Sequence, residues 1–270
     1  MAKDLLCSVL VNSCDSYEEA WEPFFKLFFK FWPNCPYNIY LATQTKHYNH
    51  PNVTTINTID GTWSERINRA LHAIDTPYVL LFLEDYFLQA PVKYLEFKKY
   101  LDYIQKDQSV GAFYFNKIGG FRVPSEKYPD MYDMNKTILT KYHLNCQVAL
   151  WNKQIFEEAT SVPMSPWEFE CNGFEMVPNT VKEKEFYCSQ TTVHSKVQND
   201  DIFTYLIHPK TGYGISKQKW LWNNRKLFKK YGIDCECNTL PTLTWFDYNW
   251  PLIKIKVLKP FVKIYSMIRR

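Results

Sequence analysis

Residues 80–88 read LLFLEDYFL, an apolar run with two adjacent carboxylates, Glu84 and Asp85, set inside it. Burying one unpaired charge is costly and burying two neighbours costs more. A chain can keep such a segment in its core only if the acids fall where the buried strand ends. Tyr78 to Leu83 is accordingly expected to be a buried strand, with Glu84-Asp85 at its C-terminal end. Runs of this kind, apolar on both faces, belong to parallel sheets covered by helices.

The segments before it agree. Leu5 to Val11 (LLCSVLV) is a first buried strand, closed by the polar loop Asn12 to Ser16. Ala20, Phe24, Leu27, Phe28 and Phe31 recur at helical spacing, which predicts a helix over Tyr17–Phe31. Tyr37–Thr43 and Val53–Asn57 are further strands. Thr62-Trp63-Ser64-Glu65 fits a capping box, and the helix behind it puts Ile67, Ala70, Leu71 and Ile74 on one face until Thr76-Pro77 stops it. Strands alternating with helices give an α/β fold with a largely parallel sheet, whose ligands bind beyond the carboxyl ends of the strands. The loops Asn12–Ser16 and Glu84–Tyr86 should then face one crevice.

The second half is less regular. Expected elements are a helix over Tyr94–Ile104, a strand over Gly111–Phe115, a loop-rich stretch from Gly119 to Tyr132, a strand over Asn145–Trp151 and a helix over Asn152–Thr160. Strands over Thr191–Val197 and Ile202–Ile207 and a basic helix over Trp220–Tyr231 complete the reading.

Composition excludes more than it assigns. An apolar share of 46% provides a sizeable core, and an aromatic share of 17% leaves side chains over for stacking on a flat ligand. A net charge of +4 is too weak to imply nucleic acid. Eight Gly in 270 residues, none in the first loop, argue against glycine-rich phosphate loops. The eight Cys include no CxxC; Cys235 and Cys237 lack a second pair for zinc, so reduced thiols are expected. No stretch has the roughly 18 apolar residues of a membrane span, and no secretory signal is convincing, so a cytoplasmic location is expected.

LFLEDYF resembles the Asp-x-Asp region of GT-A glycosyltransferases. Together with SCDSYEEAWEPFF, TWSERINRAL, NCQVALW and SPWEFE, in that order, it is similar to bacterial glycosyltransferases that build surface polysaccharides. The resemblance covers roughly residues 5–225. It implies a GT-A type fold, with a mostly parallel central sheet flanked by helices and one Rossmann-like nucleotide half fused to an acceptor half. The implied division is a domain over 1–225 (1–90 for the nucleotide sugar, 91–225 for the acceptor) and a basic helical extension over 226–270. It also implies that Asp15 approaches the uracil or ribose, that Arg66 lies near the nucleotide, and that Asp85, with Glu84 beside it, holds Mn²⁺ or Mg²⁺ on the donor diphosphate. The usual third acid is here Tyr86, which leaves a metal-independent enzyme with Lys or Arg on the diphosphate as the alternative.

Trp167-Glu168-Phe169-Glu170 has two readings. It is a helix start, or an extended segment with both Glu on one face and both aromatics on the other. Sugar transfer needs a base for the acceptor hydroxyl. The resemblance places that base here, at Glu170 first and Glu168 second, with Trp167 stacking on the acceptor sugar. Lys217 and Lys219 are candidates for the diphosphate, and His194 or His208 for a late metal ligand. From Pro251 to Arg270 there are six basic residues and no acid. Such an amphipathic segment suits peripheral contact with an anionic membrane, as does an enzyme with a lipid-linked acceptor. The expected activity is transfer from a UDP-sugar to a hydroxyl of a glycan or lipid-linked acceptor, with inversion. A non-catalytic carbohydrate-binding protein and a nucleotidyltransferase of related fold are the alternatives.

Overall fold

The structure is a computed structural model, and it describes residues 4–191, 201–205, 214–216, 218–235, 240–247 and 250. The chain divides into two compact units, Met1–Gly212 and Tyr213–Arg270.

The first unit is built on an eight-stranded sheet. Its strands are β1 (Cys7–Asn12), β2 (Asn38–Thr43), β3 (Thr54–Asn57), β4 (Tyr78–Leu83), β5 (Val110–Tyr114), β6 (Met131–Asp133), β7 (Ala149–Asn152) and β8 (Glu185–Ser189). They lie in the order β3-β2-β1-β4-β7-β5-β8-β6. The pairings run β1 to β5 and β8 in one direction and reverse only β6 and β7. Helices α1 (Glu18–Phe31), α2 (Trp63–His72), α3 (Tyr94–Lys106), α4 (Lys153–Ala159), α5 (Pro166–Cys171), α6 (Gly173–Met176) and α7 (Asn179–Lys182) flank the sheet. This is an α/β fold with a mostly parallel central sheet flanked by helices.

Alternation along β5 defines the two faces. Phe113 and Phe115 meet Tyr100 of α3 at ring separations of 5.1 and 5.5 Å, while Phe24 and Phe28 of α1 meet Phe82 at 6.0 and 5.9 Å. On the opposite face Ala112 and Tyr114 join Trp151, Phe156, Phe186 and the buried side of α2 in one core. Gly111 is required where β5 shifts register against β8. A Cβ there would come within 2.9 Å of the Phe186 ring.

Helix starts follow local chemistry. The expected capping box at Thr62 is present, with its hydroxyl accepting the Glu65 N–H and the Glu65 carboxylate accepting the Thr62 N–H. The expected strand over Asn145–Trp151 is only half a strand. Residues 145–148 leave the ladder, and their polar groups go to Glu170, Tyr86, Asn145 and Phe115 instead. Strands β6 and β8 are additions to the sequence reading. Of the strands expected over 191–197 and 202–207, the described residues show one bridge, between Leu88 and Tyr205. Residues 191 and 202–204 form no strand, and residues 192–197 and 206–207 lie outside the described residues.

In the second unit β9 (Ile215–Ser216) and β10 (Lys219–Leu221) pair antiparallel, and β11 (Thr242–Leu243) lies parallel to β10. Helix α8 (Asn224–Lys230) follows. The helix expected over 220–231 thus starts four residues late, because Trp220 and Leu221 are held in the ladder with Thr242 and Leu243. It ends at Gly232 (φ 63°), where the Gly232 and Ile233 N–H groups donate to the Lys229 and Phe228 carbonyls. That backbone turn suits glycine.

Candidate functional site

In a 3-2-1-4 strand order the chain reverses its winding between β1 and β4. The crevice beyond the carboxyl ends of those two strands is where open α/β sheets bind ligands. The β1–β4 register pairs Asn12 with Leu83, so the loop from Ser13 and the Glu84-Asp85 pair leave the sheet side by side. The two expected loops therefore meet.

The acids do not emerge into solvent. Glu84 and Asp85 are each only 6% exposed. Burial, and after it repulsion from Asp85, holds the Glu84 carboxyl well above the ordinary carboxylate range. Its own backbone N–H, the Ser13 hydroxyl and Arg66 pull the other way. The Ser13 hydroxyl accepts the Trp21 indole N–H at 2.7 Å, which fixes it on the floor of the crevice. Arg66 reaches over from α2 and donates to the Ser13 carbonyl at 2.9 Å. Tyr17 closes the group. Burial and the fields of Glu84, Cys14 and Asp85 push its phenol up to about 12.

Two adjacent buried carboxylates are a donor set for a hard divalent cation. Mg²⁺ commonly takes one or two protein carboxylates and fills its remaining positions with water and substrate phosphates. The residues present fit such a cation. Among the described residues no group of three or more His, Cys, Asp or Glu gathers at one point. Tyr86, in the place of a third acid, is turned into the core. It is 1% exposed, stacks on Tyr205 at 5.0 Å and donates to the Cys146 carbonyl at 2.9 Å.

Asp15 faces a different task. Its carboxylate accepts the backbone N–H groups of Gln44, Thr45 and Lys46 at 3.0 to 3.2 Å and the Thr45 hydroxyl at 2.6 Å. Burial would raise its pKa, but these bonds, led by the Thr45 hydroxyl, bring it below the ordinary value. Asp15 thus ties the β1 loop to the turn after β2.

The extended reading of Trp167 to Glu170 is corrected. The segment is the short helix α5, opened by a capping box between Ser165 and Glu168 with Pro166 in the first turn. Glu168 is exposed, and its carboxylate accepts the Ser165 N–H at 2.8 Å. That bond holds its pKa below the ordinary value. Glu170, one turn into the helix, points inward. Burial raises its pKa, against the pull of the Cys146 N–H, which it accepts at 3.1 Å. Trp167 is 63% exposed, with the Lys141 ammonium 5.6 Å from its ring centroid and 5.1 Å from that of Tyr142.

The Cys146 backbone bridges Glu170, which accepts its N–H, and Tyr86, the neighbour of Asp85, which donates to its C=O. Trp63 of α2 packs on Phe169 of α5 at 4.9 Å, which seats α5 against the helix that carries Arg66. Lys219 is exposed on β10 in the second unit. Lys217, His194, His208, Cys237 and the tail 251–270 lie outside the described residues. Cys7, Cys14, Cys146, Cys171 and Cys188 are free thiols. The sequence reading did not single out Ser13, Tyr17, Lys141 or Tyr142. The first two carry a signal in hindsight, since the register of two buried strands of equal length places residues 13–17 opposite 84–85. Tyr142 carries none, because its left-handed backbone (φ 64°) is not written in a tyrosine.

No family model matches the chain, and no curated protein does. Among solved structures it is similar to TarS 1-349 of S. aureus, at 14% identity and a TM-score of 0.44 over 69% of this chain and 58% of that one. It is also similar to a cytidylyltransferase from Leptospira borgpetersenii serovar Hardjo-bovis, at 11% identity and a TM-score of 0.41 over 70% and 81% of the two chains. A third is the 2-C-methyl-D-erythritol 4-phosphate cytidylyltransferase of Thermus thermophilus, at 12% and 0.42 over 75% and 93%. The chain thus spans just over half the length of the TarS fragment it matches. Likenesses this distant do not speak to activity. The mixed α/β architecture stands on its own strand order, and it places two buried acids at the switch point of an open sheet.

Proposed function

We propose that the chain is a glycosyltransferase that moves a sugar from a nucleotide-sugar donor, a UDP-sugar, to a hydroxyl of a glycan or lipid-linked acceptor. The observation that carries this reading is the buried Glu84-Asp85 pair at the switch point, with the carboxylate of Glu170 tied through the Cys146 backbone to Tyr86 beside them.

Residues 1–90 form the donor half and the segment to about 225 the acceptor half. The nucleotide lies along the β1 loop, with Arg66 offering its charge to the diphosphate from above Ser13. Asp85 and Glu84 would hold Mg²⁺ or Mn²⁺, which when bound neutralises charge on the diphosphate leaving group. Glu170 accepts the proton of the acceptor hydroxyl. A carboxylate buried enough to hold protons above the ordinary range is a stronger base than an exposed one. Trp167 gives the acceptor sugar an apolar face beside that base. The geometry of direct displacement from the face opposite the leaving group gives inversion. Residues 251–270 would meet an anionic membrane surface from the cytoplasmic side, where lipid-linked acceptors for surface polysaccharides are built. Among the described residues no helix is long and apolar enough to cross a membrane.

The test is transfer or hydrolysis with a panel of nucleotide sugars, with and without Mn²⁺, beside UDP calorimetry. Turnover of one donor with UDP binding supports the reading. No turnover of any donor, together with no UDP binding, overturns it.

A further inference from the structure

On the α3 side of the sheet a cavity of about 460 Å³ opens between α3, the end of β5, the start of β6 and the end of β8. Its volume lies within the roughly 300–1,000 Å³ of small-molecule sites. None of the residues assigned to the glycosyl-transfer site lines it.

The floor is aromatic and fixed. Tyr100 and Phe115 are 4% and 3% exposed, their rings meet edge-on at 5.5 Å, and Phe113 buttresses Tyr100 at 5.1 Å. The rim is polar and comes from separate elements: Glu96 from α3, Asp130 from the start of β6, Ser189 and Thr191 from the end of β8. The two hydroxyls lie 2.8 Å apart, and the Thr191 hydroxyl donates on to the buried Asp201 at 3.4 Å. The Gln190 N–H donates to the Asp130 carbonyl at 3.1 Å, which locks the β8 end of the rim to the β6 end.

The chemistry of this lining selects its ligand. Lys93 also lines the cavity, and Lys99 lies 3.6 Å from Asp130, so the rim is close to neutral. A phosphate or nucleotide would meet Glu96 and Asp130 with only Lys93 and the already paired Lys99 to offset them. A plain hydrocarbon would leave the carboxylates and hydroxyls desolvated and unpaired. A pyranose ring satisfies both parts. Its C–H face lies on the aromatic floor, and its hydroxyls donate to Glu96 and Asp130 and exchange hydrogen bonds with Ser189 and Thr191.

We propose that this cavity is a second saccharide site, one that takes a neutral hexopyranoside, as a free sugar or as a unit of a longer glycan. It stands apart from the transfer site and does not depend on the activity assigned there.

The experiment is ligand-observed saturation-transfer NMR on the full chain with methyl α- and β-hexopyranosides and their disaccharides, followed by titration of the best binder. The double variant Glu96→Gln/Asp130→Asn changes two exposed side chains and keeps their shapes. It is expected to weaken that binder about tenfold, the loss of charge-assisted hydrogen bonds, and to leave UDP binding unchanged by calorimetry. Tyr100→Phe, which keeps the ring, is expected to retain binding. Absence of saccharide binding by the native chain overturns the proposal. So does undiminished binding by the double variant, or displacement of the sugar by inorganic phosphate. Absence of both UDP binding and turnover of any donor overturns the glycosyl-transfer reading and leaves this one standing.

Discussion

The Glu170 carboxylate accepts the backbone N–H of Cys146 at 3.1 Å, and the carbonyl of that same Cys146 takes the Tyr86 hydroxyl at 2.9 Å. One residue, through its two flanking peptide groups, thus ties the helix-borne carboxylate to Tyr86, the residue after the strand-end acids. A backbone amide is a fixed donor that no pH change removes, so Glu170 keeps its place whether charged or neutral. Its residual burial then sets its proton affinity.

Two outcomes follow for Glu170→Gln. As the base for transfer, it should lose about 10²- to 10⁴-fold in kcat while UDP affinity stays within error. Near-native kcat would remove it from that role. The second outcome is thermodynamic. A carboxylate whose folded pKa is raised favours the fold below its unfolded pKa and loses that contribution as pH rises through the folded value. Glu170→Gln should therefore match or exceed the native Tm at pH 7, and any excess should vanish as the pH falls below the ordinary 4.5. Tm measured across pH 4 to 8 checks it.

Asp85→Asn tests the cation. Any ligand that binds only the folded chain stabilises it, by about 2.7 kcal/mol at a hundredfold excess over Kd. UDP with Mn²⁺ should raise the native Tm, and Asp85→Asn should lose the Mn²⁺-dependent part of the rise. A UDP-induced rise equal with Mn²⁺ and with EDTA would assign the diphosphate to Arg66 and lysines instead.

Arg66→Ala removes the guanidinium from the Ser13 carbonyl and from beside Glu84. The lost charge-assisted hydrogen bond costs about 1.5–3 kcal/mol of stability where it is buried, and less here because the site is partly open. UDP affinity should fall with it. Arg66→Lys should recover part of the affinity and less of the stability, since a lysine lacks the fork that reaches both groups. Urea unfolding beside calorimetry separates the two effects.

How far the sequence revealed this architecture depended on element length and on what competed for the backbone. Tyr78 to Leu83 was plain because six successive apolar residues form too short a run for a helix, and the acids after it marked its end. Met131–Asp133 was hidden because three residues carry no period, and Glu185–Ser189 because charges crowd its start. The Ser165–Glu168 capping box has the same spacing as Thr62–Glu65, yet its sequence also allows an extended reading. Proline in the first turn and the inward turn of Phe169 decide it for helix. Glu84 and Asp85 were legible as the end of a buried strand, whereas Arg66 rested on the resemblance, since the helix face only turns it away from Ile67 and Leu71. The anchoring of Asp15 on residues 44–46 was not legible, since it depends on where a loop 30 residues away returns.

That anchoring yields the last prediction. Asp15→Asn keeps the shape but weakens the acceptor of three backbone N–H groups and one hydroxyl. The carboxylate is mostly open to solvent, so the loss is small, within about 1 kcal/mol, and its pH dependence is the sharper readout. A carboxylate with a lowered folded pKa contributes stability above its unfolded pKa, and that contribution is lost as pH falls through the folded value. Native and Asp15→Asn chains should therefore differ in Tm at pH 7 and converge as the pH drops below the ordinary 3.8. If Asp15 also touches the donor, UDP affinity in the variant falls by more than its stability does. If the residue only ties the loops, UDP affinity holds under conditions where both chains are fully folded. A gap in Tm that persists at low pH would show that the charge of Asp15 is not what holds the turn.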